Sequence, residues 1–580
     1  MKISFRPLIL AVAAASTFSA FAVNWNATED LDLANKNNWA SDPTGQVAFF
    51  QLLKNAYPNG YTVTSTDNVR FGRTEAASGL NITFDIAPWT MVCQDGDSFR
   101  SLAVNNQTIR WTSGTLCTSN TAGTARGTYS MQVNAKNIKF IVDGKDAVVR
   151  SNISVRDAYD SCVIITNGAH VYGQVNIQGY SNNFVHITGK GTWVDYQNTT
   201  LAVATSRNGG TVNEYDNHFI IDDGAVVTNF SGISVGSFNG GYSELDADGL
   251  HMPMDTKLSF ALGDAAQTKS CTIRLKNSSL HFNNARIGNQ GSGHCLDLGT
   301  NTVVCNTGTD VSPIGMRASY CSLYLHDGAL YSNLVTQVQV GYQASVHSCA
   351  LRLEKGSSFY GGKGVAVGYS NSTNNTLTLS GGSELKTGSL LIGTEGTDST
   401  FRQHNEAWAF DSTLTLGGLT FAGYDNRLVL SNSTVSMSNG NVIYAQNYNG
   451  GQNRMEFYGQ SQLLAKQINW TGDSRIKFQI PENGYPEGFV PIQTSSSFQM
   501  GGSLFEFDVT KYARNGGGTV TLATFPANYF TPRGANATQI AQWAAITNAL
   551  PKGCTLIRND DAGTLKLKVR SEGGLMLILR

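Results

Sequence analysis

Three stretches decide the fold: CSLYLHDGAL (Cys321–Leu330), CALRLEKGSSF (Cys349–Phe359) and NTLTLSGGSEL (Asn375–Leu385). Each opens on Cys or Asn and places apolar residues at the third and fifth positions, with polar residues between them. Strict alternation of this kind marks a half-buried strand. A Gly or Asn turn follows, and an apolar residue then begins a second strand. The same pattern starts at Asn217 (NHFIIDDGAV), Cys271 (CTIRLKNSSL), Asn426 (NRLVLSNSTV) and Asn453 (NRMEFYGQSQL). Read in order from Asn217, the starts are 54, 50, 28, 26, 51 and 27 residues apart, each close to 26 or twice 26. A weaker copy begins at Cys162.

A second landmark keeps phase with the first. An apolar residue followed by Gly recurs at Val235-Gly236, Ile287-Gly288, Val340-Gly341, Val367-Gly368 and Ile392-Gly393, 16 to 19 residues after a unit start. A unit of about 26 residues made of short strands cannot bury its apolar face alone, so copies must stack. The expected fold is all-β: a right-handed parallel β-helix (β-solenoid). With turns about 4.8 Å apart, residues 137–480 would hold roughly 13 coils in a rod of about 60 Å.

Composition agrees. The chain has 580 residues, 41% hydrophobic and 14% charged, with 61 Gly, 12 Pro and a formal net charge of −1. The charge balance argues against nucleic acid as a partner, and the apolar content argues against disorder. Residues 1–22 combine Lys2 and Arg6, an apolar Leu8–Ala15 and the small-x-small Ala20-Phe21-Ala22, which reads as a cleaved signal peptide. No later run is long and apolar enough for a transmembrane helix. Export places the protein at the cell surface, in association with an outer membrane, or outside the cell. Residues 23–136 read as an N-terminal cap with the first coils, including a short helix at Gln46–Ala56. Residues 481–580 read as a C-terminal cap with a helix at Ala537–Leu550 and a hairpin joining TLIR to TLKLKV through Asn559–Gly563. Ala202–Tyr215 and Gly240–Lys269 read as loops leaving the rod.

Nine cysteines in an exported chain point to disulfides. Cys271, Cys295, Cys321 and Cys349 lie about one coil apart, so like-placed residues fall within bridging range. The expected pairs are Cys271–Cys295 and Cys321–Cys349, with Cys295–Cys321 as the alternative to them, and Cys93–Cys117 earlier. A ladder of buried free thiols is the rival arrangement. Cys162, Cys305 and Cys554 have no evident partner.

Units such as LTLSGGSELKTGSLLIGT (Leu377–Thr394), with the opening NNW…STDNVRF, resemble the autotransporter-associated β-strand repeats of exported bacterial proteins. The resemblance implies a pectin-lyase-like parallel β-helix displayed on or released from a bacterial surface. The translocator barrel of a true autotransporter is not recognisable in this sequence. The expectation is therefore a non-enzymatic surface, adhesin-like or structural protein, with surface glycans or other cell-surface components as partners.

Polysaccharide lyases and glycosidases use the same fold. For that alternative the candidate catalytic residues are Asp246, Asp248 and His251 in ELDADGLHM, where carboxylates and an imidazole cluster as acid–base chemistry requires. The Asp-x-Asp oxygens also suit calcium, although a full ligand loop is missing; no other cofactor or metal is expected. His294 beside Cys295 is the only His–Cys neighbour pair, a reactive dyad only if no disulfide engages the thiol. Tyr342 and Tyr369 follow the apolar-Gly landmark in adjacent units, so an exposed aromatic stack there is the first place to look for carbohydrate binding.

Overall fold

The computed structural model describes residues 46–47, 62–63, 81–94, 101–102, 105–106 and 108–119, then 130–571 except 206–213, 238–239, 254–255, 267, 310–311, 394–402, 445–451, 533 and 535. The signal-peptide stretch 1–22 and most of the expected helix at Gln46–Ala56 lie outside these residues. The part of that helix described, Gln46–Val47, is a strand paired with Asn81–Ile82.

The architecture is a parallel β-solenoid of about 14 turns. Each regular coil has three strands separated by tight corners. One coil runs Ser322–Leu325, Leu330–Asn333 and Gln337–Val340; the next runs Ala350–Leu353, Ser358–Gly361 and Gly364–Val367. Like strands pair in parallel from coil to coil and build three long sheets. In the first sheet Leu325 stands beside Leu353, and Leu353 beside Leu379. In the second Tyr331 stands beside Phe359, and in the third Val340 beside Val367. The inward residues are fully buried. Stacks of Leu, Ile, Val and Phe thus fill the bore, each large side chain contributing about 2 kcal/mol of apolar burial. Aromatic stacking continues the columns, with Tyr331 over Phe359 at 5.4 Å and Phe84 over Trp111 at 5.1 Å.

The residue that opens each sequence unit occupies the interior corner before the first sheet. Ser161, Asn183, Asn217, Ser243, Cys271, His294, Cys321, Cys349, Asn375, Asn405, Asn426 and Asn453 form one fully buried column. Backbone N–H groups at this corner need internal acceptors, because no water reaches them. The amide oxygen of one coil accepts from the backbone N–H of the coil before: Asn375 from Cys349 (3.0 Å), Asn405 from Asn375 (3.0 Å), Asn426 from Asn405 (3.1 Å) and Asn453 from Asn426 (2.8 Å). The apolar-Gly landmark has its cause here. A Cβ on Gly288 would lie 2.2 Å from Cys321 Sγ, and one on Gly368 would lie 2.0 Å from Asn405 Nδ2. Both glycines also have positive φ, 70° and 86°, so close approach and backbone conformation demand the same residue.

Several expectations are corrected. Gly240–Lys269 does not leave the rod as a loop: Glu244–Asp248 lies in the first sheet and Leu258–Leu262 in the third. Leu245 and Ala247 face inward and are fully buried, which draws this acidic stretch into the ladder. Ala202 and Val203 likewise close the strand Trp193–Val203. The Cys162 copy is displaced by one residue: Ser161 is the interior residue, while Cys162 starts the strand beside Phe184.

The parallel ladder extends in both directions, from Gln46–Val47 beside Asn81–Ile82 to Phe530–Thr531 beside Phe498–Gln499. Beyond it, Thr564–Val569 pairs antiparallel with both Gly518–Thr524 and Cys554–Asn559. This hairpin, with the helix Ala537–Asn548 capped by the Asn536 side chain, closes the last coil. Among the described residues no helix is long and apolar enough to cross a membrane.

Candidate functional site

The outer face of the first sheet carries a chain of ion-paired side chains. Coils stack in register, so residues two apart on one strand form columns along the rod, and neighbours in a column are about 4.8 Å apart. One column holds His218, Glu244, Thr272 and Cys295; the next holds Ile220, Asp246, Arg274 and Asp297.

An ion-paired chain runs across these columns. His218 approaches Asp216 at 2.9 Å and Glu244 at 3.5 Å. Arg274 donates to both Glu244 oxygens, at 3.0 and 3.2 Å. His326 contacts Asp297 at 2.9 Å and Asp327 at 2.6 Å. The hydrogen bond from His218, with Arg274 behind it, lowers the Glu244 pKa to about 2 against the cost of burial. The Glu244 contact in turn raises that of His218. Burial raises Asp297, with His326 acting against it.

The candidate catalytic residues lie at the edge of this chain. Asp246 sits mid-strand. Burial raises its pKa; Lys276 and Arg274 oppose that, while Glu244 and Asp297 reinforce it. Asp248, two residues on, accepts from Asn277 Nδ2 at 2.8 Å. His251 lies past the strand end, exposed, joined to Ser279 by a backbone bridge. Asp246 and Asp248 therefore share a face, whereas His251 lies beyond the Gly249 turn.

A cleft of about 350 Å³ opens farther along the same face, lined by His404, Glu406, Arg427, Arg454, Glu456 and Lys477. Glu456 is 1% exposed. It receives Arg427 Nε at 2.7 Å and Nη2 at 2.8 Å, and the Tyr458 hydroxyl at 2.5 Å. Burial pushes this carboxyl up, but Arg427 and Tyr458 hold it below its ordinary value. The Arg427 guanidinium also lies 4.7 Å over the Trp408 ring. Sequence reasoning missed this group. The signal was present as charged residues at the outward positions of NRLVLS and NRMEFY, legible once the two units are set one above the other.

Tyr342 and Tyr369 stack at 5.6 Å with planes 8° apart, both half-buried. Among the described residues no group of three or more His, Cys, Asp or Glu side chains is arranged to hold a metal ion.

Among the described residues no disulfide is formed, and Cys162, Cys295, Cys305, Cys321, Cys349 and Cys554 are free thiols. Register explains three of the pairings. Cys295 stands beside Thr272, not Cys271, so Cys271 points into the bore and Cys295 outward. The alternative pair Cys295–Cys321 fails for the same reason, since Cys295 stands beside Ser322. Cys93 and Cys117 are also one residue out of register, Cys117 lying beside Val92. Cys321 and Cys349 do stack, their thiols in hydrogen-bond contact; that contact and burial raise the Cys321 pKa. The His294–Cys295 dyad is likewise ruled out, because successive strand residues face opposite sides. His294 is buried in the ladder, its Nδ1 accepting from Cys271 N–H at 3.3 Å and its Nε2 donating to Gln290 O at 3.0 Å. Burial lowers its pKa to about 4, so the ring is neutral and acts as a surrogate for Asn, whose counterpart Asn426 donates to the carbonyl of Ala422.

Comparison with protein-family models, curated proteins and solved structures found no match to this chain.

Proposed function

We propose that the protein is an exported, non-enzymatic β-solenoid, similar to an autotransporter passenger and displayed at a bacterial surface as an adhesin-like or structural rod. One observation carries the reading. Carboxylates of the first-sheet face are paired with basic side chains of neighbouring coils: Glu244 with Arg274, Asp297 with His326 and Glu456 with Arg427. Ion pairs of this kind tie coil to coil. A glycosidase instead needs two carboxyl groups about 5–9.5 Å apart and free to act on the substrate, one of them protonated. The leader-like residues 1–22 and the repeat resemblance support export.

A second reading, a polysaccharide lyase or glycoside hydrolase, is favoured by the raised Asp246 carboxyl, as a general acid requires. One experiment separates the two. The chain from residue 23 is incubated with acidic and neutral polysaccharides and assayed for new reducing ends and unsaturated uronates. No digestion is expected, and digestion lost on Asp248→Asn would establish the enzyme. Protease shaving of intact cells tests display.

A further inference from the structure

The outer corner immediately before the interior column has left-handed backbone in coil after coil. Its residues are Asn137, Asp160, Asn182, Asp216, Tyr242, Ser270, Gly293, Tyr320, Ser348, Asn374, His404 and Asp425. Asn and Asp tolerate this conformation, and Gly adopts it freely. Five residues of the set are neither Asn, Asp nor Gly: Ser270, Ser348, His404 and, the largest of them, Tyr242 (φ 58°) and Tyr320 (φ 61°). A bulky residue here is strained, and burial does not compensate, since the two side chains are 54% and 61% exposed. Strain retained at an exposed position points to function rather than to folding.

The spacing of the two rings is fixed by the ladder. Gly241, Lys269, Ser292 and Ser319 bridge in succession, so Tyr242 and Tyr320 stand three coils apart, about 14 Å. Between them the corner carries only Ser270 and Gly293, flanked by Lys269 and Ser292. The result is two aromatic posts with a low, hydroxyl-lined floor. His347 meets the Tyr320 ring edge-on at 4.9 Å and 85°, which sets the orientation of the second post.

We propose that this corner is an oligosaccharide-binding groove, with the sugar chain lying along the rod. Pyranose C–H faces would pack on the two rings while sugar hydroxyls meet Ser270, Ser292 and the Lys269 ammonium, joining apolar and polar contact as carbohydrate requires. The proposal deepens the surface-protein reading and rests on it for the choice of ligand class.

The test uses the chain from residue 23, with cellohexaose and chitohexaose as probes and calorimetric titration as the readout. Tyr242→Asn and Tyr320→Asn install the residue that the same corner carries at Asn137, Asn182 and Asn374. At least one hexasaccharide is expected to bind, and each substitution to weaken it at least about tenfold. The melting temperature should stay level or rise, because Asn relieves the backbone. Tyr159→Asn, outside this column, should leave affinity unchanged. The proposal is overturned if neither probe binds, if both variants bind as wild type does, or if they melt lower, which would mark the rings as packing. Cell shaving reads display without any ligand, so failure of the groove and failure of the surface reading are distinguishable.

Discussion

The interior column is built in two ways along one rod. From Asn375 to Asn453 it is asparagine, and each amide joins its coil to the one before through a conventional N–H···O bond. From Cys271 to Cys349 the same position holds Cys, His, Cys and Cys. The hydrogen-bond pattern survives this change. Cys271 Sγ accepts from the Ser243 N–H, His294 Nδ1 from the Cys271 N–H, and Cys321 Sγ from the His294 N–H. The thiols donate in turn to corner carbonyls, as Cys321 does to Ser319 at 3.7 Å. Geometry at this corner is therefore dictated by the buried N–H, and any small acceptor serves. Sulfur is a weak acceptor, so the cysteine segment should be the softer of the two.

The largest effects come from filling the space beside the column. Gly368→Ala in the asparagine segment should destabilise by ~4 kcal/mol through clash and positive φ together, read as a shift in the urea midpoint. Gly288→Ala should cost about as much alone, yet Cys321→Ala should rescue much of it, because the clashing sulfur is then gone. Equal rescue of Gly368→Ala by Asn405→Ala would erase the distinction between the segments.

Removing the acceptor itself comes next. Asn405→Ala strands the buried Asn375 N–H and should cost ~3 kcal/mol, against ~1 kcal/mol for Cys321→Ala. Oxidation sharpens the contrast: Cys321 and Cys349 should form the one internal bridge of this column, adding ~3 kcal/mol by loop closure, whereas Cys271–Cys295 should stay reduced. Peptide mapping by mass spectrometry reads both.

His294 gives the cysteine segment an acid sensitivity that the asparagine segment lacks. Its pKa is depressed from the ordinary 6.5 to about 4 by burial, so the folded state binds fewer protons than the unfolded chain between those values. The contribution is full above pH 6.5 and is lost as pH falls towards 4, about 3 kcal/mol over the window. His294→Asn should abolish that part of the acid dependence and change stability at pH 7 by less than ~1 kcal/mol. Comparison of melting temperatures at pH 7 and pH 4.5 checks it.

Much of this was legible without coordinates. The 26-residue step, the alternation in CSLYLHDGAL and the phased apolar-Gly pairs each report one strand or one close approach, and the stacking of Leu353 on Leu379 follows from them. The outward placement of His218 and His326 was legible for the same reason. The acidic coil at Glu244–Asp248 was not, because its ladder residue is Ser243 rather than Cys or Asn, and ELDAD disguises Leu245 and Ala247 as a polar run. The Glu456 cleft escaped notice because its residues come from four coils and meet only when the columns are assembled.

What the sequence determined by itself is the period and the inside–outside alternation, since both are written in the order of side chains along a single chain. What only the tertiary structure decided is register between coils. A slip of one residue reverses the face of every side chain, and spacings of 24 to 28 do not resolve such a slip. That single residue places Cys321 on Cys349, turns Cys295 away from Cys271, and puts Tyr242 and Tyr320 on one edge of the rod.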